Sequence, residues 1–164
     1  MKNLQFEFTV DKPNKTVNVK REFAADKNAV WSAWTEKEIL DKWWAPKPWK
    51  ADTKSMDFRE GGQWLYAMRG PEGEEHWSFS DYTSISPKDN FQFSDGFCNS
   101  EGNVNDKMPK SEWNIDFKDL GNSTLVDIKI KYVSLKDLEA FIQMGFKEGF
   151  AMAMENLDEI FAKR

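Results

Sequence analysis

Residues 134–161 place apolar side chains at three- and four-residue steps: Leu138, Phe141, Ile142, Phe146, Phe150, Ala153, Leu157, Ile160 and Phe161. This is one stripe of an amphipathic helix. Ser134, followed three residues later by Asp137, reads as its capping box. Roughly 28 residues at about 1.5 Å each make a rod of about 42 Å. A rod that long with a single apolar face has to lie across a whole sheet, so the preceding chain must supply one. Gly145 and Gly149 share a face of this expected helix. Each costs roughly 1 kcal/mol against Ala in a helix interior, so they are expected to let the helix approach the sheet or to leave room for a ligand. Lys147 and Glu148 between them rule out a membrane-dimer reading of the spacing.

The sheet is legible upstream. Leu4, Phe6, Phe8 and Val10 alternate with polar residues, and DKPNK at 11–15 turns the chain. Val17, Val19 and Phe23 continue the alternation as a second strand. The period then changes. Asp26 is placed to cap a helix bearing Val30, Trp31 and Trp34, and Thr35 with Glu38 is placed to cap a second carrying Ile39, Leu40, Trp43 and Trp44. Pro46 and Pro48 end it. Residues 51–58, 63–69, 75–85, 90–97, 113–117 and 126–132 read as strands, separated by Gly61-Gly62, Gly70-Pro71-Glu72-Gly73, Pro87-Lys88-Asp89, a long polar loop at 98–110 and Gly121-Asn122. The expected fold class is therefore α+β. A curved antiparallel sheet of about six or seven strands wraps a long C-terminal helix, with two short helices closing one end. Residues 1–164 read as a single domain, with 1–15 an additional N-terminal strand and turn.

Composition sharpens this. The chain has 24 aromatic residues (13 Phe, 8 Trp and 3 Tyr) under a low mean hydropathy of -0.73 and a net charge of -5. A disordered acidic chain would lack the rings. They must be gathered in a core, a cavity or an interface beneath a charged surface. One cysteine, Cys98, excludes an intrachain disulfide and a Cys-rich metal site, and suits a reducing, cytoplasmic location. One histidine, His76, excludes a multi-histidine metal site. The N-terminal residues do not form a signal peptide. No run is long and apolar enough for a membrane span, and the acidic balance argues against nucleic acid. No cofactor or metal is expected.

Six segments in this order resemble the START-like, or SRPBCC, superfamily with its helix-grip fold. Within it they look like the bacterial homologues of the activator of heat-shock-protein-90 ATPase. The segments are V-W-S-A-W-T-E at 30–36, K-W-W-A-P at 42–46, D-F-R-E-G-G-Q-W at 57–64, R-G-P-E-G-E-E at 69–75, M-G-F-K-E-G-F at 144–150 and L-D-E-I-F at 157–161. The resemblance covers about 16–164. No one motif is specific, but the ordered set is. It implies an internal cavity and gives more fold than function. The eukaryotic co-chaperone that names the family has a separate N-terminal domain, for which this chain has no room.

Chemistry-bearing residues are sparse. His76 reads as a surface strand histidine more readily than as a general base, since Glu75 must point to the opposite face. Cys98 reads as an inert, semi-buried thiol. Asp57, Arg59 and Glu60 around Gly61-Gly62 read as turn chemistry before a carboxylate clamp. The aromatic strand faces are the stronger signal. The ligand-cavity candidates are Trp44, Phe58, Trp64, Tyr66, Met68, Trp77, Phe79, Asp81, Phe91, Phe93, Trp113, Met144, Phe146 and Phe150. Asp81, Asp95, Tyr66 and Tyr82 are the polar groups expected to orient a ligand. These rings either fill the grip or leave a pocket; both readings stand on the residues alone.

Three functions follow in order of preference. The first is a non-catalytic binding protein that holds a hydrophobic or aromatic small molecule in an internal cavity. The second is a chaperone-interacting, ATPase-activator-like module, with Trp43, Trp44 and Trp49 as an exposed hot spot. The third is a cyclase- or hydrolase-like enzyme using His76 or Asp81, as the superfamily resemblance implies. The expected assembly is a monomer or weak homodimer.

Overall fold

The computed structural model describes residues 4–163. Its sheet has eight strands. In chain order these are β1 (Phe6–Asp11), β2 (Thr16–Phe23), β3 (Lys50–Met56), β4 (Gln63–Arg69), β5 (Glu75–Ser86), β6 (Asn90–Cys98), β7 (Ser111–Asp119) and β8 (Thr124–Tyr132). Helices α1 (Lys27–Thr35) and α2 (Lys37–Trp43) lie between β2 and β3, and α3 (Leu135–Gln143) and α4 (Phe146–Ala162) follow β8. The spatial order is β1-β2-β8-β7-β6-β5-β4-β3, with every neighbouring pair antiparallel. This is the helix-grip arrangement, an open curved sheet closed over by helices. The count exceeds the expected six or seven because both edges are full strands. β1 pairs with β2 from Phe6↔Arg21 to Asp11↔Thr16, and β3 pairs along β4.

The long terminal helix is two helices. Gly145 sits at φ +89, in the left-handed region, and starts α4 as its N-cap, while the Met144 N–H closes α3 on the Ala140 carbonyl. Apolar spacing runs unbroken across this junction, so periodicity alone could not show it. A glycine can take the left-handed turn without a Cβ penalty. The rod that crosses the sheet is thus α4, about 25 Å long. Capping is otherwise close to expectation. Asp26 accepts the Ala29 N–H at 2.8 Å, and Ser134 accepts the Asp137 N–H at 3.1 Å. Thr35, however, does not cap α2. Glu36 is the N-cap, and the Thr35 hydroxyl donates back to the Trp31 carbonyl within α1.

The core lies on the inner face of the sheet, and the register arranges it in rows. Phe91, Ile115, Ile128 and Val19 are successive cross-strand partners, as are Tyr82, Phe93, Trp113, Ile130 and Val17. All nine are buried. α1 and α2 cap these rows: Trp34 contacts Trp43 edge-on at 4.8 Å, and Trp31 meets Phe117 at 5.0 Å. Edge-to-face packing of this kind suits the ring quadrupoles. At the far side, Arg21 of β2, nearly buried, pairs with Asp158 of α4 and so fixes that helix to the sheet.

Candidate functional site

One row further along, the inner face changes character. Ser80, Asp95, Ser111 and Tyr132 are successive partners across β5, β6, β7 and β8. Three of these four are small, where the neighbouring rows carry rings and branched aliphatics. Volume is therefore missing from the wrap at this point, and a cavity of about 450 Å³ opens there. That is within the range of roughly 300–1,000 Å³ typical of small-molecule sites. The junction of α3 and α4, through Phe141, Met144, Gly145 and Phe146, forms the opposite wall. Met108 and Pro109 of the 98–110 loop and Trp49, His76 and Met68 also line it.

The lining is mostly rings in mutual contact. Trp113 meets Phe150 at 5.7 Å, Phe146 at 6.0 Å and Trp44 at 6.0 Å; Phe146 stacks on Phe150 at 5.2 Å, and Phe141 contacts Tyr132 at 5.5 Å. Polar groups are few and grouped. The Trp113 indole N–H donates to Ser111 Oγ at 3.1 Å. An indole is only a donor, so the Ser111 hydroxyl directs its own proton to Asp95 Oδ1. Asp95 is half-buried. Burial pushes its carboxyl up to about 7, against the lowering effect of the hydrogen bonds from Ser111 and Trp113. The Tyr66 hydroxyl accepts the Trp44 indole N–H at 3.0 Å, and burial raises the pKa of this phenol and of Tyr132. Tyr132 is 2% exposed, and its hydroxyl has no hydrogen-bond partner.

The model of the family described as "Activator of Hsp90 ATPase homolog 1-like protein" matches residues 24–162. The chain belongs to this family. Among solved structures, a protein from Arthrobacter aurescens is 27% identical, with a TM-score of 0.90 over 96% of this chain and 92% of that one. Protein Ms6760 from Mycobacterium smegmatis is also 27% identical, with a TM-score of 0.88 over 96% of each chain. CalU16 from Micromonospora echinospora, at 18% identity and a TM-score of 0.61 over 95% of this chain and 84% of that one, shares the fold alone. No curated protein sequence matches.

Within this family member, seven of the fourteen cavity candidates line the cavity: Trp44, Tyr66, Met68, Trp113, Met144, Phe146 and Phe150. The other seven lie elsewhere. Phe58, Phe91 and Phe93 belong to the packed end, where Phe58 meets Tyr82 at 4.8 Å and Phe91 at 5.5 Å. Trp64 stacks on Tyr66 at 4.1 Å, one layer behind the wall. With Phe91 and Phe93 it borders a void of only about 10 Å³.

Trp77, Phe79 and Asp81 are on the outer face of β5; its inward positions are His76, Ser78, Ser80 and Tyr82. Bulky residues occupy both parities of β5, so residue type could not choose the face. The outer ones are covered or paired in their own way. Phe79 is buried and packs against Gly96, while Leu65, on the same face, lies under the 98–110 loop near Gly102. Trp77 packs under the cations of Lys54 and Arg69, and Asp81 accepts from Gln63 at 2.8 Å.

Lining groups absent from the candidate set include Ser78, Ser111, Tyr132, Phe97, Phe141 and Trp49, together with Asp95, noted only as an orienting group. The signal for them is the run of small polar residues at inward positions of adjacent strands, which is visible once register is known. The expected tryptophan hot spot does not exist as a surface. Trp43 is fully buried, with its indole donating to the Ala33 carbonyl, and Trp44 and Trp49 are half-buried at the cavity. His76 is exposed at the cavity mouth and packs on Trp49. Asp57 and Arg59 pair with each other at 2.6 Å, outside the cavity. Cys98 points outward opposite Trp77, and partial burial raises its thiol pKa. No helix of the described residues is long and apolar enough to cross a membrane.

Proposed function

We propose that this protein is a non-catalytic receptor for a small, flat hydrophobic molecule held between the inner sheet face and the α3–α4 junction. The observation that carries the reading is the cavity of about 450 Å³, walled by contacting rings with Asp95, Ser111 and Tyr132 together on one row. Aromatic and methionine walls favour planar apolar ligands. A few converging polar groups would orient such a ligand. The chaperone-module reading loses its surface, because Trp43 is packed into the core.

The test is fluorescence titration with prodan, a neutral, polarity-sensitive naphthalene dye. Saturable one-site binding is expected in the wild type. Ser78→Phe, which fills the cavity from β5, should abolish it while the melting temperature stays close to that of the wild type. Absence of saturable binding, or equal binding by the filled variant, would overturn the reading.

A further inference from the structure

The cavity carries an unbalanced charge arrangement. Asp95 is the only carboxyl among its lining residues, and no lysine or arginine lines it. The donors on Asp95 come from neutral groups. Trp113 N–H donates to Ser111 Oγ, and the Ser111 proton goes to Asp95 Oδ1. That chain has a fixed direction, because the indole cannot accept. In the same row, Tyr132 Oη is buried with no partner. An unmade hydrogen bond on a buried polar group is costly, about 1–3 kcal/mol. The side chains facing this row are rings: Trp113, Phe146, Phe150 and, beside Tyr132, Phe141.

We propose that this polar row receives the ammonium group of an organic amine whose apolar body lies along the ring wall. The proposal rests on the reading of the cavity as a ligand site and names the ligand's class. An ammonium supplies what the row lacks. It brings a positive charge for Asp95, an N–H for the Tyr132 oxygen, and a cation for the surrounding ring faces. An anionic ligand would meet the carboxylate with no cation to offset it. A purely hydrocarbon ligand would leave Asp95 without a counter-charge and Tyr132 Oη without a hydrogen bond. The upward shift of the Asp95 carboxyl, caused by burial without a counter-charge, is one that a bound cation would reverse.

Three probes of nearly equal shape separate these cases by isothermal titration near pH 8: 2-(2-naphthyl)ethylamine, 2-(2-naphthyl)ethanol and 2-naphthylacetate. The amine is expected to bind at least about tenfold more tightly than the alcohol, with the carboxylate weakest. Asp95→Asn should bring the amine to within about twofold of the alcohol, and Tyr132→Phe should weaken the amine several-fold. Circular dichroism of both variants checks their folding, and the wild-type ranking stands without them. Equal binding of amine and alcohol by the wild type overturns the amine proposal and leaves the cavity reading in place. Binding of none of the three overturns both.

Discussion

The Trp44 indole N–H meets the Tyr66 hydroxyl at 3.0 Å, joining the end of α2 to the middle of β4 at the cavity wall. The phenol is buried and also bonds Ser78, and its oxygen is the acceptor that the indole uses. Tyr66→Phe strands the indole donor without an acceptor and is expected to cost about 1–3 kcal/mol. Trp44→Ala removes the donor and the ring contacts together and should cost more, about 3–5 kcal/mol, as for other large core truncations. Urea unfolding of the two variants checks the order. A Tyr66→Phe protein as stable as the wild type would show that the bond contributes nothing.

Asp95 makes stability depend on pH in a defined direction. Its folded carboxyl titrates near 7, whereas an unfolded aspartate titrates near 4. Between those values the native state holds a proton that the unfolded state has released. Stability therefore falls as pH rises from about 4 to about 7 and is flat, as far as this group is concerned, above and below. The groups facing Asp95 are Ser111 and Trp113 on β7, Tyr66 on β4 and Tyr132 on β8; the two phenols stay neutral throughout this window. Asp41 is shifted in the same direction by partial burial, so the comparison to make is wild type against Asp95→Asn. The difference between their unfolding free energies should change across pH 4–7, and a constant difference would remove the assignment.

Two glycines four residues apart should respond oppositely to alanine. Gly145 has φ +89 with open space around its missing Cβ, so Gly145→Ala meets no clash and pays only for the left-handed backbone, about 1–2 kcal/mol. Gly149 lies inside α4, and an added Cβ would touch Pro46 Cγ at 3.6 Å, an ordinary contact. Gly149→Ala is therefore expected to stabilise by about 0.4–1 kcal/mol. Differential scanning calorimetry of the pair gives the two signs directly.

Arg21 couples the sheet to the last helix. Its guanidinium reaches Asp158 and the Glu22 carbonyl, the latter at 2.7 Å, and lies 4.9 Å from the Phe23 ring centre. Arg21→Met keeps much of the stem but leaves Asp158 without its cation, at an expected cost of about 1–3 kcal/mol. Asp158→Asn retains an acceptor and should cost less. If chemical denaturation ranks them the other way, the charge on Asp158 matters more than the guanidinium's packing.

Much of this architecture could be read from alternation and caps. The turns at Gly61-Gly62 and Gly121-Asn122, the Asp26 and Ser134 caps and the alternation of Val126 to Tyr132 are local signals, and local physics settles them. The division of the last helix could not be read, because Gly145 sits in a stripe whose spacing is helical on both sides. Nor could the cavity. Its origin is a row in which three neighbouring strands carry small residues, Ser80, Asp95 and Ser111, and rows exist only after register has been set. β5 shows the same limit from the other side: Trp77 and Phe79 look like a core face, yet their outward orientation is fixed by pairing Trp77 with Ala67 and Cys98.

The strand order β1-β2-β8-β7-β6-β5-β4-β3 also sets how the chain can reach its native state. From β3 to β8 every pairing joins consecutive strands, so this meander can zip as a series of hairpins, with short loops to close except the 98–110 loop between β6 and β7. The exception is β2 on β8, where Ser123 bonds Glu22 across 101 positions and Thr124 bonds the Ala25 carbonyl across 99. Loop-closure entropy is concentrated in that one joint, and non-local pairing of this kind slows folding. Substitutions at Val17 or Val19 are then expected to act on the unfolding limb of a chevron plot, and those at Phe91 or Ile115 on the folding limb. The seam that closes the sheet is then expected to be the last part of the molecule to form.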